Sequence, residues 1–209
     1  MALAPWIETH SGKQMYFLNP TPDMIDIDDI AHSLSLQCRF SGHTSRFYSV
    51  AEHSVNVASE LANESAVVQL QGLLHDASEA YLLDVPSPIK QYLTNYKDME
   101  TTIMRVIFEK YNIPYPMDTM VKEADSVMLK REAEALLPSK GASWINDYPT
   151  LWESKREICG YTSPFAKDSF LMWFNYLTKE IFNGPRQKEV IYSRTKTVHP
   201  GQPRPAFIL

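Results

Sequence analysis

An imidazole and a carboxylate stand side by side at His75-Asp76, directly behind the apolar pair Leu73-Leu74, and a second acid, Glu79, follows within five residues. On a helix, positions three and four apart lean toward one side, so His75, Asp76 and Glu79 share a face. Burying His and Asp together behind leucines is unfavourable unless something compensates them. A divalent cation does so, because neutral imidazole and carboxylate are both good ligands. Two other segments offer matching groups: His53 within Glu52-His53-Ser54, and Asp125, an acid inside the otherwise apolar stretch Ala124–Leu129. Taken singly, each of these residues is more readily a packed or solvated side chain than a ligand. Taken jointly, they form a mixed nitrogen and oxygen set suited to Co, Mn, Zn, Ni, Fe or Mg, and less to thiol-seeking ions.

The elements that must position these groups are legible in outline. Trp6–Thr9 and Gln14–Leu18 flank the turn-prone His10-Ser11-Gly12 and predict a small β-hairpin. Asn19-Pro20-Thr21-Pro22 then breaks the chain. From Asp26 onward, Ile27, Ile30, Ala31 and Leu34 recur with helical spacing. Ser49 followed by Glu52 is a capping-box pattern that opens a helix over 49–62 carrying His53. A further helix is predicted over 65–83, ended by Pro86 and Pro88, and two more near 98–111 and 118–137, separated by Pro114 and Pro116. Ser163-Pro164 starts a last helix that runs to about Phe182, with Gly184-Pro185 as its stop signal. The expected architecture is all-α: a helical bundle spanning 1–184, with the hairpin at its N-terminal end and an irregular, proline-rich tail over 185–209.

Composition narrows the function classes. The chain has 209 residues, 44% of them hydrophobic and 22% charged, enough for one substantial core and too apolar for a disordered protein. Its net charge of −5 argues against a general nucleic-acid or anionic-membrane binder. The tail holds five Lys or Arg against Glu189 alone, so the body is more acidic than the whole. Cys38 and Cys159 form no CxxC pair, and two reduced thiols are expected rather than a long-range disulfide. No basic stretch followed by an apolar run opens the chain, and nowhere do 18 apolar residues run together. The expected setting is the cytoplasm, with neither nucleic acid nor membrane as partner.

The order His53, His75-Asp76, Asp125 resembles the metal signature of the HD-domain phosphohydrolases. His75-Asp76-Ala77-Ser78-Glu79 with Asp84-Val85-Pro86-Ser87-Pro88-Ile89-Lys90 is similar to a block of their 5′-deoxynucleotidase branch. Upstream, Cys38–His43 and Phe47–Ser54 resemble a bacterial and phage subgroup that includes phage dATP triphosphohydrolases. The likeness runs from about residue 6 to 180. It implies an HD-domain bundle that removes phosphate from purine deoxynucleotides with one divalent ion held by His53, His75, Asp76 and Asp125. The sharpest version is hydrolysis of dATP to deoxyadenosine plus phosphates, in a homo-oligomer (dimer or hexamer), in host cytoplasm if the gene is phage-borne. The alternatives are a broad 5′-deoxynucleotidase acting on monophosphates, and a nucleotide-binding module without turnover.

The resemblance also implies roles for neighbouring residues. Glu79 is expected to manage the proton at the reacting phosphate, its alternative being to orient His75. Asp84 either holds a water or second metal, or merely caps the turn before Pro86. Lys90 and Arg39 are the expected phosphate partners, as point charge and fork respectively. Phe40 stands where related 5′-deoxynucleotidases carry a tryptophan that blocks a ribose 2′-hydroxyl, a departure that keeps an aromatic but shrinks it. His43 and Arg46 flank the same loop, to reach a polyphosphate or to steady the turn at Gly42.

Overall fold

The structure, a computed structural model, describes residues 5–183; the proposed tail over 185–209 lies outside the described residues. The expected hairpin is present as two short antiparallel strands, β1 (Trp6–Glu8) and β2 (Gln14–Tyr16), with Ile7 opposite Met15. All the longer elements are helices: α1 (Ile27–Leu36), α2 (Val50–Glu60), α3 (Ala66–Leu74), α4 (Glu79–Leu82), α5 (Ser87–Lys90), α6 (Tyr96–Lys110), α7 (Thr119–Leu136) and α8 (Ser163–Asn183). The protein is therefore all-α with a minor N-terminal sheet. Side-chain caps define four helix starts: Asp26, Ser49, Ser65 and Asp118 each accept a backbone N–H from the first turn.

Helices α2, α3 and α8 pack against one another, α1 lies on α8, and α7 closes over α2 and α3. The main core gathers Ile30 and Leu34 of α1, Leu70, Leu73 and Leu74 of α3, Ile103 and Phe108 of α6, and Phe170 and Leu177 of α8. A second cluster, with Tyr48, Val57, Val121, Ala124 and Met128, seals α2 to α7. His53, His75 and Asp125 thus come from three helices already locked together by apolar burial.

Two local expectations need correction. The single helix over 65–83 is broken: α3 stops at Leu74 and α4 begins at Glu79. Between them the backbone tightens into three-residue bonds, from Ala77 N–H to the Leu74 carbonyl and from Glu79 N–H to the Asp76 carbonyl. The break coincides with His75 and Asp76, two of the candidate ligands. The capping box at α2 is only half made. Ser49 Oγ accepts from Glu52 N–H, but the Glu52 carboxylate does not return to the Ser49 N–H. It accepts instead from the backbone of Gly160 and Tyr161, at 3.0 and 2.6 Å. That bond ties down the otherwise irregular strap over 150–162, as do Trp152, Ser154 and Arg156 on Glu60.

Gly72 marks the closest approach of α3 to α2: a Cβ there would sit 2.6 Å from Leu61 Cδ1 and 3.4 Å from Ala58 Cα. Its carbonyl also accepts from His75 Nδ1. Gly72→Val should overpack this contact, destabilising the fold by about 1–3 kcal/mol and lowering Tm by roughly 3–10 °C. Differential scanning calorimetry measures this, and an unchanged Tm would mean the two helices can spread freely.

Candidate metal centre

His53 sits in the first turns of α2 and is fully buried. His75 caps the C-terminal end of α3, Asp76 follows it, and Asp125 comes from the middle of α7. His53, His75 and Asp125 converge, and Asp76 lies against the two imidazoles. His53 Nε2 lies 3.2 Å from His75 Nε2, 3.5 Å from Asp76 Oδ2 and 3.2 Å from Asp125 Oδ1. His75 Nε2 lies 3.1 Å from Asp76 Oδ2 and 3.7 Å from Asp125 Oδ1. Donor atoms at about 2.1 Å from one ion stand about 3.0 Å apart at right angles and about 3.4 Å apart at the tetrahedral angle. The spacing and the donor chemistry of His53, His75 and Asp125 therefore fit a cluster that could hold a single divalent cation, with Asp76 against both imidazoles.

The far nitrogen of each ring is engaged by the protein. His75 Nδ1 donates to the Gly72 carbonyl at 2.8 Å, leaving Nε2 for the cluster. His53 Nδ1 faces Glu132 Oε1 at 2.6 Å. Glu132 is fully buried on α7, and it also accepts from Tyr48 Oη at 2.8 Å and from Arg39 Nε at 3.0 Å. Sequence reasoning missed Glu132. The available signal was its place seven residues after Asp125, two turns along the same buried face.

The electrostatics follow from this crowding. Burial disfavours ionisation of Asp76 and Asp125, but the neighbouring imidazoles outweigh it and hold both carboxyls below their usual range. Burial likewise lowers the His75 pKa, yet Asp76 and Asp125 raise it well above that of a free imidazole. For His53 burial and Arg39 act downward, and Glu132 and Asp125 prevail upward. Glu79 moves the opposite way from Asp76: burial first, then Asp76 and Asp84, raise its pKa well above the carboxylate norm.

The other expected site residues divide into two groups. Glu79, Asp84, Lys90 and Arg39 belong to the surroundings of the cluster. One Glu79 oxygen accepts from Lys90 Nζ at 3.1 Å, and the other is buried with no hydrogen-bond partner. Lys90 is shared with Glu100, at 2.8 Å, and its charge lies 5.5 Å from the Tyr96 ring centre. Burial, opposed by Arg39, leaves the Asp84 carboxyl above its usual pKa, while its backbone N–H donates to Gln37. Arg39 is buried between Glu132 and Asp76, 3.4 Å from the latter, so its guanidinium is engaged by carboxylates.

Phe40, His43 and Arg46 are a different matter. Phe40 is half-buried with its ring 5.7 Å from the Arg39 guanidinium, while His43 is exposed at the end of the turn. Arg46 donates to the Ile158 carbonyl of the strap, and no hydrogen bond or ion pair joins it or His43 to the cluster among the described residues. Both cysteines are free thiols.

Comparison with known proteins places the chain among relatives. No family model matches it. It is 47% identical over 139 residues to the uncharacterized protein YfdR of Escherichia coli K12, covering 66% of this chain and 76% of YfdR. It is also 33% identical over 142 residues to an uncharacterized protein of Rhodobacter capsulatus, covering 63% of this chain and 72% of that relative.

Two outcomes test the centre. Because the His75 pKa is raised, the metal-free site carries a proton that a cation must displace. Below that pKa, apparent Mn or Co affinity should fall about tenfold per pH unit for each proton released. Calorimetric titration in buffers of different ionisation enthalpy counts those protons, and a pH-independent affinity would exclude imidazole ligation. Glu132→Gln should weaken metal affinity about 10–100-fold by removing the carboxylate behind His53, as read by competition with a chelator.

Proposed function

The chain belongs to the same family as YfdR, and from the cluster of His53, His75 and Asp125 with Asp76 beside it we infer that it is a metal-dependent phosphohydrolase of the HD type. The observation that carries this reading is the set of five separations, 3.1 to 3.7 Å, that link the two imidazoles to each other and to Asp76 and Asp125. The proposed substrate is a purine deoxynucleotide, with dATP triphosphohydrolase as the sharpest form. That choice rests on the sequence likeness around residues 38–54 and 75–90.

When bound, a divalent ion supplies Lewis acidity, neutralising phosphate charge and acidifying water. The remaining work falls to the protein. Asp125 and Asp76 are the more exposed members, with side chains 39% and 20% accessible against 0% for His53 and 7% for His75. A phosphate therefore approaches from the aspartate side, with the imidazoles as the floor. Glu79 retains a proton to higher pH than an ordinary carboxyl, first because it is buried and then because Asp76 and Asp84 face it. A protonated carboxyl with one unpartnered oxygen is suited to donate to the leaving oxygen. Lys90 holds the other Glu79 oxygen, fixing the direction of that proton.

Glu79→Gln should keep metal binding and lose turnover by about 10²–10⁴-fold, whereas His75→Ala or Asp76→Ala should lose both. The assay supplies dATP, other dNTPs, dNMPs and ribonucleotides with Mn, Co or Mg, and reads phosphate release. Hydrolysis of dNMPs alone reassigns the substrate to monophosphates, while a fully active Glu79→Gln variant removes Glu79 from the proton transfer. If metal-loaded protein turns over none of these nucleotides, the hydrolase reading is lost.

A further inference from the structure

Helix α8 buries one side completely: Ala166, Phe170, Phe174 and Leu177 lie in the core. Its other side carries six exposed positions in a seven-residue repeat. Phe165, Met172 and Lys179 make one row, and Asp168, Asn175 and Phe182 the other. The apolar members are well exposed, Phe165 at 45%, Met172 at 57% and Phe182 at 67%, and Tyr176 beside them at 49%. The face is thus a mixed strip, apolar at Phe165, Met172 and Phe182 and polar at Asp168, Asn175 and Lys179. Among the described residues, the Tyr161 ring meets Phe165 edge-on at 4.6 Å between centres.

We propose that the exposed face of α8 is a self-association surface on which a second copy of this chain packs its own α8 antiparallel, about a dyad between residues 173 and 174. The choice of occupant follows from complementarity. In a twofold arrangement each position meets its mirror about the dyad. Phe165 then faces Phe182 of the second copy, Asp168 faces its Lys179, and Met172 faces its Asn175. Every row member meets the other row, as an antiparallel seam requires, and the two charges meet opposite charges at both ends. Neither Asp168 nor Lys179 forms an ion pair among the described residues, whereas the neighbouring Lys167 is already held by Asp28 at 3.1 Å.

A cavity of about 500 Å³ lies beside Phe182, lined by Lys110, Tyr111, Phe174 and Thr178, and it gives the second copy's Phe165 a place to enter. The chain's own residues 185–209 fit this face less well. They carry an excess of four positive charges, and the face presents one acid and one base in mirror positions. An interface of one helix per copy lies near the small end of specific interfaces, about 1,200 Å² in total. Association should therefore be reversible and concentration-dependent.

The test is sedimentation velocity on the full chain across micromolar concentrations, with Asp168→Lys, Lys179→Asp and the double variant. Both substitutions fall on exposed positions, and far-UV circular dichroism verifies that the helices persist. The expected result is a wild-type dimer, a Kd weakened at least about tenfold in each single variant, where like charges meet, and recovery in the double variant. A monomer at every concentration, a dimer indifferent to the single swaps, or a double variant that stays dissociated would each overturn the proposal. Metal loading and phosphate release are read separately, so this outcome is independent of the hydrolase reading.

Discussion

A single buried carboxylate organises the centre. Glu132 is fully enclosed, and it is stable as an anion only because three donors surround it: His53, Tyr48 and Arg39, at 2.6, 2.8 and 3.0 Å. Burial opposes its ionisation, and Arg39 and His53 outweigh burial. These partners belong to the loop before α2 and to α2 itself, so one side chain of α7 ties together three parts of the site. Tyr48 is in turn held by Asn56 at 3.0 Å. By engaging Nδ1 of His53, Glu132 leaves Nε2 to face the other donors, and a change at Glu132 reaches the cluster without touching it.

Around that hub the charges are graded. Asp76 and Asp125 stay ionised beside the imidazoles, while Glu79, only three residues from Asp76 but deeper and facing acids, is driven toward its neutral form. Two carboxyls near one another with opposite protonation preferences are a recurrent way to separate ligand from acid. Lys90 links the second to a third acid, Glu100, so the lysine is positioned from both sides.

The periodicity of α1, the caps at Ser49 and Asp118, and the Ser163-Pro164 start were legible because each is a local matter of helix physics. His53, His75 and Asp125 were legible as candidate donors, and bringing them together needed only helices that pack. Glu132 was not, since its partner His53 lies 79 residues away and an acid on a helix reads as solvated by default. The same holds for Glu52, which looks like half of a capping box and serves a strap 108 residues downstream. The break at His75–Ser78 escaped detection because the apolar spacing on either side continues in phase. Arg46 is the reverse case: proximity in sequence to the site loop implied a role there, and its guanidinium is committed to the strap.

The turn after Arg39 shows how the hub supports an unfavourable backbone. Phe40, Ser41 and Gly42 are consecutive left-handed residues, with φ of 53°, 50° and 78°. Glycine tolerates this, whereas for Phe and Ser it costs about 1–2 kcal/mol each. The conformation persists because both flanks are fixed. Arg39 N–H donates to the Tyr48 carbonyl, Gly42 N–H to the Arg39 carbonyl and Ser45 N–H to the Leu136 carbonyl. Strain held in place by surrounding structure is a feature of functional loops. Here it sets Phe40 against the Arg39 guanidinium. Arg39 therefore serves two ends at once: its backbone anchors the strained turn, and its side chain neutralises Glu132. Loss of that guanidinium would leave the backbone bonds of the turn in place and deprive the buried Glu132 carboxylate, the partner of His53, of a charged donor.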